Sequence, residues 1–315
     1  MTPPAFTPGL LHPRYWPAWL LVCLLWLLAQ LPWALQRRLG AGLGALAWHL
    51  VPMRRQDTLT NIALCFPELD VAAQLELARD SFRQSGIGVL ETANAWFRAP
   101  EYYRKRISFE GLEHLRAMQQ RGRGILLLGA HYSFVDLGAA MASLHFRVDT
   151  VYRPQKNAVL EFVMTRRRLR HHEWTIPHRD TRMLLKALKA SHIVWYTPDQ
   201  DFGLEHAVFA PFFGIPAATI TTPARLAAVN QAAVMLIHFC RDGDQERYRF
   251  LITPPVEGYP SDDPVADATR INHELETLIR RAPAQYLWSH RRFKTRQHGS
   301  PSPYQVKKKW KKRLQ

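Results

Sequence analysis

From Trp16 to Leu35 the chain reads WPAWLLVCLLWLLAQLPWAL, an almost unbroken apolar run in which Gln30 is the only strongly polar residue. About 20 such residues are enough to cross a ~30 Å hydrocarbon core as a helix, so the run predicts one N-terminal transmembrane helix over about 16–35. Tyr15, Trp16 and Trp19 at one end and Trp33 at the other suit interfacial aromatic belts. Pro17 falls where a helix start tolerates it, and Pro32 is expected to bend the last turn. A cleaved signal peptide fits less well, because its apolar core runs to only about 7–15 residues and Arg14 alone precedes the run as a firm positive charge. Arg37, Arg38, Arg54 and Arg55 follow it, so the positive-inside rule places everything downstream in the cytoplasm. No second long apolar run occurs, which predicts a single-pass protein.

Past this segment the periodicity changes. RRLGAGLGALAWHLVPMRR mixes small, apolar and basic residues and predicts a helix lying on the membrane surface or on the domain. Residues 71–98 carry apolar positions at helical spacing without proline, which predicts one or two amphipathic helices. From residue 124 onward short apolar runs alternate with helical stretches. Ile125–Ala130, Phe146–Tyr152, Ile193–Tyr196, Ala233–Cys240 and Arg247–Thr253 read as strands, and 134–144, 158–170, 181–190, 222–230 and 263–281 as helices. The alternation predicts an α/β fold, a mixed central sheet with helices on its faces, closing on a hairpin through Arg241-Asp242-Gly243-Asp244. The chain then divides into an anchor (1–40), a catalytic-sized domain (41–304) and a basic tail (305–315).

Charge narrows the partners without choosing among them. Lys and Arg number 42 against 26 Asp and Glu, a net +16 that favours polyanions: nucleic acid, anionic membrane, phosphorylated lipid or an acidic carrier protein. Neither zinc-finger spacing nor an RNA-recognition aromatic block is present, which leaves nucleic acid with charge as its whole support. Cys23, Cys65 and Cys240 are odd in number and far apart, so they form neither a disulfide framework nor a zinc site, and the bulk of the chain is expected in a reducing compartment.

Three polar residues follow apolar runs directly: His131, Arg153 and Asp199. In an open α/β sheet, ligands bind beyond the carboxyl ends of the strands, where these side chains would emerge. In His131-Tyr-Ser-Phe-Val-Asp136 the carboxylate stands where it can orient the imidazole as a general base. Without a serine nucleophile of its own, such a relay suits a reaction whose nucleophile is a substrate hydroxyl. Ser133-x-x-Asp136 fits a helix capping box equally well. Asp199 and Asp201 could orient donors or cap a turn; no companion spacing makes them a metal site.

The chain resembles the late acyltransferases of lipid A biosynthesis, most closely the lauroyl-type enzymes of the wider glycerolipid acyltransferase superfamily. The resemblance spans nearly the whole chain. It rests on Asn61-Ile-Ala-Leu-Cys-Phe-Pro67-Glu, the His131–Asp136 box, Tyr152-Arg153-Pro154 with Asn157, Val194-Trp-Tyr-Thr-Pro198-Asp-Gln-Asp201-Phe-Gly203, Val208-Phe-Ala-Pro-Phe-Phe213-Gly214 and Ala282-Pro-Ala-Gln-Tyr-Leu-Trp288-Ser-His-Arg-Arg-Phe-Lys-Thr-Arg296. It implies an inner-membrane enzyme that moves a fatty acyl group, lauroyl or similar, from acyl carrier protein to a 3-hydroxyacyl hydroxyl of a Kdo-bearing tetraacyl lipid A precursor. His131 would be the base and Asp136 the residue that orients it; lauroyl-type relatives more often carry glutamate there, so the reach is one methylene shorter here. Arg153 and Arg168 fall on family positions suited to phosphate or to charge at the thioester. Asp199 would orient donors, and Phe212-Phe213-Gly214 would wall the acyl chain. His290, Arg291, Arg292, Lys294 and Arg296 suit an acidic headgroup or carrier, and the tail Lys307–Arg313 suits anionic lipid at about 1 kcal/mol per charge near the surface. The mechanism expected is direct transfer in a ternary complex without metal, cofactor or acyl-enzyme. A phospholipid or ornithine-lipid acceptor, and a noncatalytic lipid-binding relative, are the competing readings.

Overall fold

The computed structural model describes residues 4–243, 245–297 and 300–304; the basic tail and Asp244 lie outside the described residues. Four helices come first: α1 (Trp16–Gln30), α2 (Trp33–Leu50), α3 (Pro52–Cys65) and α4 (Val71–Phe97), the last capped by the Asp70 carboxylate, which accepts from Ala73 N at 2.7 Å. Next in chain order are β1 (Ile107–Glu110), α5 (Leu112–Gln120), β2 (Ile125–Gly129), α6 (Val135–Ala142), β3 (Asp149–Tyr152) and α7 (Ala158–Arg168). They are followed by β4 (Thr175–Pro177), α8 (Thr181–Lys189), β5 (Ile193–Tyr196), the pair β6 (Ala207–Phe212) and β7 (Ile215–Ile220), and α9 (Thr222–Asn230). The hairpin β8 (Ala233–Arg241) and β9 (Tyr248–Ile252) precedes α10 (Pro264–Arg280).

The sheet has seven strands in the order β1-β9-β8-β2-β5-β3-β4, all neighbours parallel except the antiparallel β8–β9 pair, so it is mixed and closes on a hairpin as the pattern predicts. Every residue of β2 and β8 is buried, which is why these strands read as continuous apolar runs: helices cover both of their faces. In the β2–β5 register Ile125 faces Ile193 and Leu128 faces Tyr196, so the two chains leave the sheet side by side. β6 and β7 form a separate two-stranded sheet.

The transmembrane expectation is overturned: among the described residues no helix is long and apolar enough to cross a membrane. Pro32 is the reason. It holds Leu31 extended (ψ 152°), α1 stops at Gln30, and 15 residues rise only about 22 Å. The break is sealed by polar groups from elsewhere, since Arg98 donates to Ala29 O at 2.6 Å and Leu31 O at 2.7 Å, and buried Gln36 donates to the same two carbonyls while accepting from Asn94. α2 then turns back along α4. A Cβ on Gly44 would lie 2.0 Å from Phe82 O and one on Gly86 2.1 Å from Gly40 O, so glycine lets the two backbones touch. α1 packs Ala18 and Val22 with Val159 and Val163 of α7. Both helices keep an uncovered apolar face, with Trp16, Leu20, Leu24 and Leu27 on α1 and Leu39, Leu43, Leu46 and Leu50 on α2 all exposed.

Candidate active site

Parallel pairing of β2, β5 and β3 brings the residues after their carboxyl ends to one edge of the sheet. A cavity of about 270 Å³ opens there, lined by His131, Asp136, Arg153, Arg168, Trp195 and Thr197. Of the residues singled out in the sequence, His131, Asp136, Arg153 and Arg168 meet in this cavity. A roomier cavity of about 740 Å³, bounded by Arg123, Lys186 and Lys189, lies at the opposite, amino ends of β2 and β5 and holds no acid–base pair.

The carboxylate bonded to His131 is Asp199, not Asp136. His131 Nδ1 lies 2.6 Å from Asp199 Oδ1, and the His131 backbone N–H donates to Oδ2 at 3.0 Å. Asp199 comes from the loop after β5, adjacent to β2 in the sheet, and is 1 % exposed. Burial acts to raise its pKa, but the His131 ring and the hydrogen bonds from that residue outweigh it, and the carboxyl titrates below its usual range. A carboxylate can only accept, so Nδ1 carries the hydrogen and Nε2 is left free to take a proton. Nε2 faces the Thr197 hydroxyl at 3.2 Å.

Asp136 is held elsewhere. It sits in the first turn of α6, where both Nε and Nη2 of Arg168 donate to its Oδ1, at 3.1 and 2.6 Å, and the Trp96 indole N–H donates to Oδ2 at 3.0 Å. Burial opposes its ionisation, yet the Arg168 guanidinium prevails and its pKa is lowered. The expected His131–Asp136 hydrogen bond is therefore replaced by two pairs, His131–Asp199 and Arg168–Asp136, at the same cavity.

The loop carrying His131 is fixed from behind by groups the sequence did not single out. Arg241, at the end of β8 and 5 % exposed, donates to Ser133 Oγ at 2.9 Å and pairs with buried Glu91 of α4 at 3.0 Å. Ser133 N donates to Gln285 O and Leu287 N to His131 O, each at 2.9 Å, so the loop and the 285–287 segment bind each other through their backbones. Tyr132 OH donates to His238 Nδ1 at 2.7 Å; burial pushes His238 down to about 4 and Tyr132 well up, which keeps both neutral.

The remaining expected site residues divide. Arg153 is exposed at the cavity rim and makes no hydrogen bond or ion pair with the described residues. Arg291 bonds Asp57 at 2.8 Å and is partly exposed. Arg292 is 3 % exposed and turned inward, donating to Ala218 O at 2.6 Å and Thr219 Oγ1 at 2.8 Å, so it holds β7, while its Nε is buried without a partner among the described residues. Gly214 makes the β6–β7 turn at φ +74° and lines none of the cavities at the His131 edge. Asp201 clasps the C-terminal segment, accepting from Thr295 N at 2.7 Å and Thr295 Oγ1 at 2.8 Å. Among the described residues no group of three or more His, Cys, Asp and Glu is placed to hold a metal ion.

At the carboxyl edge of this α/β sheet, then, stands a histidine backed by a buried carboxylate, with its second ring nitrogen facing the Thr197 hydroxyl. The model for bacterial lipid A biosynthesis acyltransferases matches residues 3–295, and the chain belongs to that family. It is 38 % identical to the lipid A biosynthesis lauroyltransferase of Escherichia coli (strain K12) over 302 residues, 96 % of this chain and 99 % of that protein. Identity is also 38 % over 300 residues to the same organism's palmitoleoyltransferase (95 % and 98 % covered) and 30 % over 306 residues to its myristoyltransferase (96 % and 95 %). The protein is thus an acyltransferase of lipid A biosynthesis.

Proposed function

We propose that the protein transfers a fatty acyl group from the thioester of an acyl carrier protein to the hydroxyl of a 3-hydroxyacyl chain on a Kdo-bearing tetraacyl lipid A precursor. The observation that supports this most is the Thr197–His131–Asp199 arrangement. Asp199 keeps the hydrogen on Nδ1, and Nε2 takes the proton from the acceptor hydroxyl at the place where Thr197 Oγ1 now stands. The alkoxide oxygen bonds to the thioester carbonyl carbon, the C–S bond breaks, and the imidazolium returns its proton to the leaving thiolate, so no proton or electron is left over. Arg153, exposed and without an ion pair among the described residues, supplies positive charge for the phosphate of the carrier's prosthetic arm or of the acceptor.

A lipid acceptor calls for a seat on the membrane, and the uncovered faces of α1 and α2 provide one. Exposed leucines and tryptophan line both helices, and contiguous exposed apolar surface is what marks a membrane or partner contact. The protein is read as lying in one leaflet's interface, its basic surface against anionic lipid, instead of spanning the bilayer.

Acyl transfer in detergent micelles tests the reading, with carrier protein loaded with C10 to C16 chains, Kdo-containing tetraacyl precursor, wild type and His131→Ala. Product from wild type and none from a folded His131→Ala variant is expected. Absence of product with every donor, under conditions where a phospholipid acceptor is acylated, overturns the acceptor assignment.

A further inference from the structure

One face of α4 runs from the apolar surface of the molecule to the candidate active site. At about 100° per residue Ser85, Val89, Thr92 and Trp96 fall within about 60° of one another, and from first to last they climb about 16 Å. Ser85 and Val89 wall a cavity of about 230 Å³ together with Leu43 and Ala47 of α2 and Leu287. Thr92 and Trp96 wall a second, of about 350 Å³, together with Ser133, Asp136 and Arg168. That second cavity shares Asp136, Met164 and Arg168 with the cavity of His131. The two ends differ in chemistry. At the outer end Leu43 and Val89 are 44 % and 45 % exposed, in line with exposed Leu39, Leu46 and Leu50; at the inner end stands the Arg168–Asp136 pair.

Between these ends the two cavities share no lining residue, and Val89 and Thr92 bridge them along α4. Thr92 Oγ1 donates to Gly88 O at 2.9 Å and Trp96 Nε1 to Asp136 at 3.0 Å, so their polar atoms are already used and a methyl group and an indole face are left along the path. Gly88 keeps the path short, since a Cβ there would lie 2.1 Å from Ser133 O and push the His131 loop away from α4.

We propose that this groove holds one acyl chain of the lipid acceptor: the tail enters between α2 and α4 from the membrane face, and the chain follows Ser85, Val89, Thr92 and Trp96 until its 3-hydroxyl reaches His131. The inference rests on the lipid A reading of the acceptor. Polarity fixes the direction. The hydroxyl-bearing carbon is near the headgroup end of a 3-hydroxyacyl chain, which matches the polar inner end of the groove, and the tail is left at the apolar mouth. A chain already in hydrocarbon can enter laterally without crossing water.

Two measurements test this. Val89→Trp and Ser85→Trp narrow the groove at partly exposed positions and are expected to raise KM for the tetraacyl precursor about tenfold or more, one to two obstructed side-chain contacts' worth, with KM and chain-length preference for acyl carrier protein unchanged. A shortened donor preference with unchanged acceptor KM would assign the groove to the donor chain and overturn the proposal, as would no change in either. Independently of turnover, a lipid A precursor carrying a diazirine at the end of one hydroxyacyl chain should photolabel residues 39–50 and 85–89 of the wild-type protein, competed by unmodified precursor. Labelling confined to other segments overturns the groove. Failure of wild-type turnover alone would instead strike the proposed reaction.

Discussion

Replacing Asp199 with asparagine removes the charge behind His131 while keeping the side chain's size. The carboxylate is 1 % exposed and touches Nδ1 at 2.6 Å. Removing one partner from a charge pair this deeply buried costs about 3–5 kcal/mol. Here the loss is felt when the imidazole becomes cationic during transfer, and at about 1.4 kcal/mol per factor of ten it predicts a kcat lower by about 10²–10⁴. The asparagine amide also turns a donor toward the ring, which favours the tautomer with hydrogen on Nε2 and blocks proton uptake. The assay is acyl transfer at saturating donor and acceptor, with thermal unfolding measured on the same preparations. Asp136→Asn is the control: it loosens Arg168 and is expected to raise KM and lower Tm while kcat falls by about tenfold or less. A kcat for Asp199→Asn within about threefold of wild type, alongside abolished turnover in Asp136→Asn, would refute the assignment.

Thr197→Ala empties the position opposite Nε2 and is expected to leave turnover within about threefold of wild type; an acyl-enzyme on Thr197 in the wild type, found by mass spectrometry, would refute direct transfer. Burial holds His238 and His290 down at about 4, below the ordinary 6.5, so between these values the unfolded chain binds protons that the folded one does not. Stability is therefore present above about pH 6.5 and lost as pH falls toward 4, and urea midpoints measured from pH 7 to 4.5 should decline with a slope that His238→Gln reduces. Leu20, Leu24, Leu43 and Leu46 changed together to serine should weaken binding to anionic vesicles about 10³-fold, at roughly 1 kcal/mol for each partly exposed leucine, without loss of helicity by circular dichroism. Arg153→Ala should raise a substrate KM about five- to tenfold and leave Tm unchanged, since the guanidinium has no hydrogen-bond or ion-pair partner among the described residues.

The α/β sheet, its closing hairpin and five of its helices were legible because their apolar periods are clean and their boundaries carry Asn157, Asp180 and Asp263 as caps. Strands β1, β4, β6 and β7 were not: β1 alternates half-buried and exposed residues, β4 has three residues, and β6–β7 is interrupted by Pro211 and Pro216. The N-terminal run misled because hydropathy sums over Pro32, whereas the backbone cannot continue through it, and because the partners of the break, Arg98 and Asn94, lie on a distant helix. His131, Asp136, Arg153 and Arg168 do come together in one cavity, but the carboxylate bonded to the imidazole is Asp199 and not Asp136. His131 and Asp136 are neighbours in sequence, but strand order decides neighbours in space, and the adjacency of β2 and β5 that delivers Asp199 leaves no mark in either segment. Arg292 shows the same limit, since a cationic cluster reads as a surface until packing turns one member inward against β7.

The backbone bonds between the His131 loop and residues 285–287 tie the start of the chemistry to the order of synthesis. Every strand of the sheet, and α10 after it, is translated before Gln285 and Leu287 exist. A growing chain can thus present the histidine box on a nearly complete sheet while the strap that sets its loop is still inside the ribosome. The last fastening of the His131 loop is therefore made by a segment that follows every element it closes against.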